Sequence, residues 1–165
     1  MTANVYLSLG SNSGDRHAMI GKAVAALSSA FDRFGAVVRV AEPVTSMPQG
    51  FVSDKPFVNV GLTVSFEMSQ PWTDEGLHGL LDITQAIERS LSAMPHRNPD
   101  GSYRDREIDI DIIAVDAICF CSTRLTLPHP AMSERRFVLL PMSQLLPDWR
   151  HPQSGLTPAE MMERL

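Results

Sequence analysis

The chain has 165 residues, 44% of them hydrophobic and 20% charged, with a formal net charge of −5. That is globular composition at a length that predicts one domain, 1–165, able to bury a core without disulfide or metal staples. The acidic balance argues against a nucleic-acid partner, which calls for a basic face. No apolar run reaches the ~18 residues of a membrane span, and no basic segment leads into an apolar leader, so a cytoplasmic protein is expected. Cys119 and Cys121 form C-x-C rather than a zinc-type pair and read as free reduced thiols.

In chain order, Asn4–Leu9 reads as a strand closed by the turn run Gly10-Ser11-Asn12-Ser13-Gly14. Ile20, Ala23, Val24, Leu27, Phe31 and Phe34 then recur at helical spacing, and Gly35 ends that helix. Val37–Val44 is β-branched and reads as a second strand, followed by an exposed loop over Met47–Pro56. Phe57–Phe66 alternates, with Val58, Val60, Leu62, Val64 and Phe66 on one face, which predicts a strand buried on one side. A second helix is expected from Thr73, its N-cap, to Ser92, with Asp74 and Glu75 at the positive end of the helix dipole. Its apolar stripe is Leu77, Leu80, Leu81, Thr84, Ile87 and Leu91. Ala93–Arg106 is a long polar loop, of the kind that is usually functional or mobile. Glu107–Val115 is the fourth main strand, Ile118–Cys121 a short one, and the proline-rich tail reads as short helices and turns. The order strand, helix, strand, strand, helix, strand is the ferredoxin-like βαββαβ arrangement, an α+β fold with an antiparallel sheet, helices on one face and a C-terminal extension.

Three groups of residues invite chemistry. Asp109 and Asp111 share one face of a strand, ~6.5–7 Å apart by strand rise. By themselves they fit either a solvated face, which Glu107 favours, or a magnesium site, since magnesium takes one or two carboxylates plus phosphate oxygens. His129 sits between Pro128 and Pro130, near Arg135 and Arg136, and arginine matches phosphate oxygens with two parallel hydrogen bonds. Gln85 and Glu88 share a helix face, which by itself reads as solvated. Gly21-Lys22 is no P-loop, because Ala23 replaces the hydroxyl residue and Arg16 the first glycine.

Taken in order, Tyr6–Asn12, Phe57-Val58-Asn59, Gln85-Ala86-Ile87-Glu88, Arg106–Ile112, Leu127–Pro130 and Arg135–Leu139 resemble the 6-hydroxymethyl-7,8-dihydropterin pyrophosphokinase family of folate synthesis, over nearly the whole chain. The resemblance implies magnesium-dependent transfer of diphosphate from ATP to the pterin hydroxymethyl group, releasing AMP. It implies two magnesium ions on Asp109 and Asp111, with Asp109 and Arg106 acting in catalysis. ATP contacts are implied at Gln85, Glu88, Arg106, Ile112, Arg124, Thr126 and His129. Pterin contacts are implied at Ser46, Phe57, Asn59, Tyr103, Arg135 and Phe137. The chain departs from the family at Ser92–Arg97, where Met94 or Ala93 replaces an arginine. Arg97, or else Arg104, is expected to reach in instead. Ser46–Gly50 also departs from the usual pterin loop, and Tyr103 stands where an aromatic lid residue is expected. A monomer is expected, because the implied site is complete in one chain. The alternatives are a catalytically impaired ATP- or pterin-binding module of the same fold, and a different two-metal enzyme.

Overall fold

The computed structural model describes residues 1–47, 55–92, 99–100 and 107–165. The elements run β1 (Thr2–Ser11), α1 (Arg16–Asp32), β2 (Val37–Val40), β3 (Val44–Ser46), β4 (Phe57–Glu67), α2 (Asp74–Leu91), β5 (Asp109–Val115), β6 (Phe120–Cys121), β7 (Thr126–Leu127), a 3-10 turn (Met132–Glu134), α3 (Arg136–Leu145) and α4 (Pro158–Met162). The main sheet has the order β2-β4-β1-β5 with antiparallel neighbours, and β3 continues beside β4. This is the ferredoxin-like topology expected from the element order.

The helices start where side chains can satisfy their free amides. Asp15 accepts from Ala18 N at 3.1 Å, and Thr73 accepts from Gly76 N at 3.0 Å. Both helices lie on one face of the sheet. There Ile20, Ala23, Leu27 and Phe31 of α1 and Leu77, Leu80 and Ile87 of α2 meet Val5, Leu7, Leu9, Val58, Val60, Leu62, Val64, Ile110 and Ile112.

The structure differs from expectation in three places. The second strand is broken: Val40 pairs with Leu62 but Val44 with Asn59, so four steps on one strand match three on the other. The extra residue falls around Pro43, which has no N–H for the ladder. Next, β4 is buried on both sides rather than one, because α3 packs on the face that alternation left polar. Tyr6, Ile113, Met132, Val138, Leu139, Met142 and Met161 form a second core there. Finally, β5 begins at Asp109, so Glu107 precedes the strand, and a bulge at Ile113 puts both Ile113 and Ala114 on the α3 side.

Candidate active site

The face that carries α3 is also the face that carries the polar residues. In register, Gly10 of β1 lies between Asn59 of β4 and Asp109 of β5, and Ser8 lies beside Asp111. Ile108, Ile110 and Ile112 turn into the helical core, so Asp109 and Asp111 point to the opposite face and stay partly accessible. A side chain at Gly10 would crowd this corner: a Cβ would come within 3.1 Å of Asn59 Oδ1 and 3.3 Å of Phe57 Cδ1.

Asn59 is buried and its amide is oriented by β3. Nδ2 donates to Val44 O at 3.0 Å and to Ser46 Oγ at 2.7 Å. Both amide protons are thereby used, and Oδ1, toward Gly10, is the acceptor left for a ligand. Phe57 is half-buried beside it.

Arg135 closes the other side. Its Nη1 lies 3.9 Å from Asp111 Oδ2, and its guanidinium stands 5.8 Å from the Phe137 ring centroid. His129 is held by its backbone and its ring: its N–H donates to Ile113 O at 2.8 Å, and its Nδ1 accepts from Ala131 N at 3.1 Å. That leaves the ring proton on Nε2, a fixed donor. Burial and the charge of Arg135 lower the His129 pKa, against an opposing pull from Asp109, so the ring is neutral near pH 7.

Glu88 departs most from its expected environment. The Gln85/Glu88 face was expected to be solvated, yet Glu88 is only 9% exposed and its Oε2 accepts from Ile110 N at 2.8 Å. β5 is an edge strand, and this carboxyl from α2 satisfies one of its outward amides. Burial pushes the Glu88 pKa up to about 8; the Ile110 amide opposes the shift, while Asp109 and Asp111 add to it. Three carboxyls therefore crowd one end of the sheet, with Glu88 holding its proton, and the negative charge of the two aspartates fits a divalent cation. Among the described residues no cluster of three or more His, Cys, Asp or Glu side chains forms a protein-only cage. Asp109 and Asp111 instead suit magnesium, which completes its shell with phosphate oxygens and water.

The remaining expected ATP contacts gather beside α2. Arg124, in the β6–β7 hairpin, pairs with Asp82 Oδ1 at 2.6 Å and reaches Gln85 Oε1 at 3.4 Å. Thr126 is exposed on β7, with its hydroxyl 3.9 Å from Cys121 Sγ. Ile112 does not present its side chain, which is 4% exposed in the helical core, so only its backbone could meet a nucleotide. Asp82 escaped the sequence reading, although Asp82-x-x-Gln85 places it on the helix face of Gln85. Arg97, Tyr103, Arg104 and Arg106 lie outside the described residues, as do Ala93 and Met94.

The family model of 7,8-dihydro-6-hydroxymethylpterin-pyrophosphokinase matches residues 6–147. The chain belongs to that family. It is 39% identical over 153 residues to a 2-amino-4-hydroxy-6-hydroxymethyldihydropteridine pyrophosphokinase of Porphyromonas gingivalis, covering 92% of this chain and 96% of the relative. A protein of the same name from Methylorubrum extorquens is 35% identical, over 87% of this chain and 82% of its own. One from Bacillus subtilis is 30% identical, over 85% and 76%. Among solved structures, an HPPK-DHPS in complex with substrates superposes with a TM-score of 0.67 at 12% identity, covering 98% of this chain and 43% of the other. A Plasmodium falciparum HPPK-DHPS gives 0.60 at 13% identity, covering 99% and 44%. The chain thus spans less than half of those structures, and at such identity they bear on the fold alone. Family membership makes this a diphosphotransferase of folate biosynthesis, and the reading as an impaired binding module is not favoured.

Proposed function

We infer that the chain transfers diphosphate from ATP to the hydroxymethyl group of 6-hydroxymethyl-7,8-dihydropterin and releases AMP. The observation that carries this reading is the pairing of Asp109 and Asp111 on one sheet face, with Arg135 3.9 Å from Asp111 and Asn59 across Gly10. Negative and positive groups for phosphate chemistry thereby stand next to a buried amide able to read a flat heterocycle.

In this reading the pterin stacks on Phe57 and Phe137, and Asn59 Oδ1 accepts from a ring N–H. Asp109 and Asp111 would hold magnesium, two ions in our reading, which would supply charge neutralisation to the ATP phosphates. The pterin hydroxymethyl oxygen attacks the β-phosphorus, the bond from that phosphorus to the α-phosphate oxygen breaks, and AMP leaves with that oxygen. Asp109 holds the attacking hydroxyl in line and takes its proton. Arg135 and the Nε2 proton of His129 offset the negative charge that develops on the phosphates. Arg124, Gln85, Glu88, Thr126 and the Ile112 backbone place the nucleotide, and Ser46 places Asn59. Arg97, Arg106 and Tyr103 complete the phosphate and lid contacts, with Arg97 replacing the family arginine displaced at Met94. The protein acts as a monomer in the cytoplasm; among the described residues no helix is long and apolar enough to cross a membrane.

The test is a turnover assay with ATP, magnesium and the hydroxymethyl pterin. AMP formed only in the presence of pterin is expected. ADP or free phosphate as the product would overturn the reading.

A further inference from the structure

Tyr6 has no place in the chemistry above, yet it is the largest fully buried side chain among the described residues and lies on the site's face of the sheet. Its hydroxyl donates to Val138 O at 2.8 Å, in the first turn of α3. That turn is short of one backbone bond. Pro141 lies inside α3 and has no N–H to give to the carbonyl of Phe137, four residues earlier. The sheet is shaped for this contact. A Cβ at Gly61 of β4 would overlap both Tyr6 Oη and Pro141 Cβ, so glycine lets the tyrosine and the helix meet on the strand. Burial drives the Tyr6 pKa far up, so the phenol remains a donor at any working pH.

We propose that Tyr6 is a positioning residue for the pterin side of the site: by tying the first turn of α3 to β1, its hydroxyl sets where Phe137 and Arg135 stand relative to Asn59 and Asp111. Phe137 directly precedes the tethered carbonyl, and Arg135 stands at the N-cap position of the same helix. The nucleotide contacts on α2 and the β6–β7 hairpin do not pass through α3. The tether therefore bears on pterin binding through Phe137, and reaches the phosphates only through Arg135. This inference rests on the assignment of Phe137 and Arg135 to the pterin pocket.

Tyr6→Phe removes the hydroxyl and keeps the ring. The expected result is a KM for the pterin raised about fivefold, the equivalent of one buried hydrogen bond, with the KM for ATP within about twofold of normal. Restoring the backbone donor with Pro141→Ala in the Tyr6→Phe background should recover part of the pterin affinity. A melting temperature that falls while both KM values stay normal means that Tyr6 only stabilises the fold, and overturns the positioning role. So does a parallel rise in both KM values. Phe137→Ala separates this from the pocket assignment. If Phe137→Ala raises the pterin KM and Tyr6→Phe does not, the tether alone is wrong; if neither does, the assignment fails and the tether with it. Should Tyr6→Phe not fold, Gly61→Ala crowds the same contact from the sheet side and is read by the same two constants.

Discussion

The two faces of the sheet are built on different rules. The face under α1 and α2 is almost entirely aliphatic and aromatic, with Leu7, Leu9, Leu62 and Val64 at or near zero exposure. The face under α3 mixes Tyr6, Ile113 and Met142 with Ser8, Gly10, Asn59, Asp109 and Asp111. One face holds the domain together, and the other gives up part of its apolar area to the polar residues of the candidate site. Stability and activity should therefore separate by side-chain direction, even between residues on adjacent strands.

The largest test of that separation pairs Asp111→Ala with Leu62→Ala. Asp111→Ala should lower turnover by about 10²–10³-fold, as loss of a charged transition-state contact does, with the melting temperature unchanged or raised as carboxyl repulsion is relieved. Leu62→Ala should cost about 2–5 kcal/mol in denaturant unfolding and leave the folded fraction active. A Leu62→Ala protein that is stable but inactive would break the comparison.

Next is the pH response of Glu88, which reaches across the sheet edge from the first face to the second. Its carboxyl titrates at about 8 when folded, against 4.5 ordinarily. Between those values the folded state keeps a proton that the unfolded chain has lost, so stability falls as pH rises. In magnesium-free protein, unfolding stability should drop on the order of a few kcal/mol from about pH 5 to about pH 9. Glu88→Gln, which can still accept from Ile110 N, should flatten that decline. A wild-type curve that is flat or rising across this range would show that Glu88 is ionised throughout.

The smallest effect is expected at Ser46. Ser46→Ala frees one amide proton of Asn59, worth about 1 kcal/mol, and should raise the pterin KM roughly fivefold without altering the KM for ATP. Ser46→Thr should restore it. An unchanged pterin KM in Ser46→Ala would show that Val44 O alone orients the amide.

Much of the first face was legible from spacing. The stripe Leu77, Leu80, Thr84 and Ile87 and the Thr73 cap define α2 almost to the residue, because burial on one side of a regular helix imposes a period on the chain. Alternation likewise marked the aliphatic side of β4. The second face was less legible. Ser65, Thr63, Gly61 and Asn59 look solvent-facing, and only the return of α3 over them buries their side of the strand. The proline-rich tail read as short helices and turns, yet a helix of ten residues runs through Pro141. Glu88 read as a surface carboxyl because nothing nearby in sequence shows that the edge amide of Ile110 lies within its reach, 22 residues away.

By itself the sequence determined the element order, the helix start at Thr73, the inward isoleucines of β5 and, through its motifs, the family and the chemistry. These depend on local periodicity and residue type, which the chain carries wherever it folds. Only the tertiary structure decided that α3 covers the second face, that Tyr6 ties it there through Val138, that β3 orients Asn59, and that Glu88 shares its surroundings with Asp109 and Asp111. Those facts depend on hydrogen bonds and charges between residues far apart in the chain, and their partners are settled by how the layers pack.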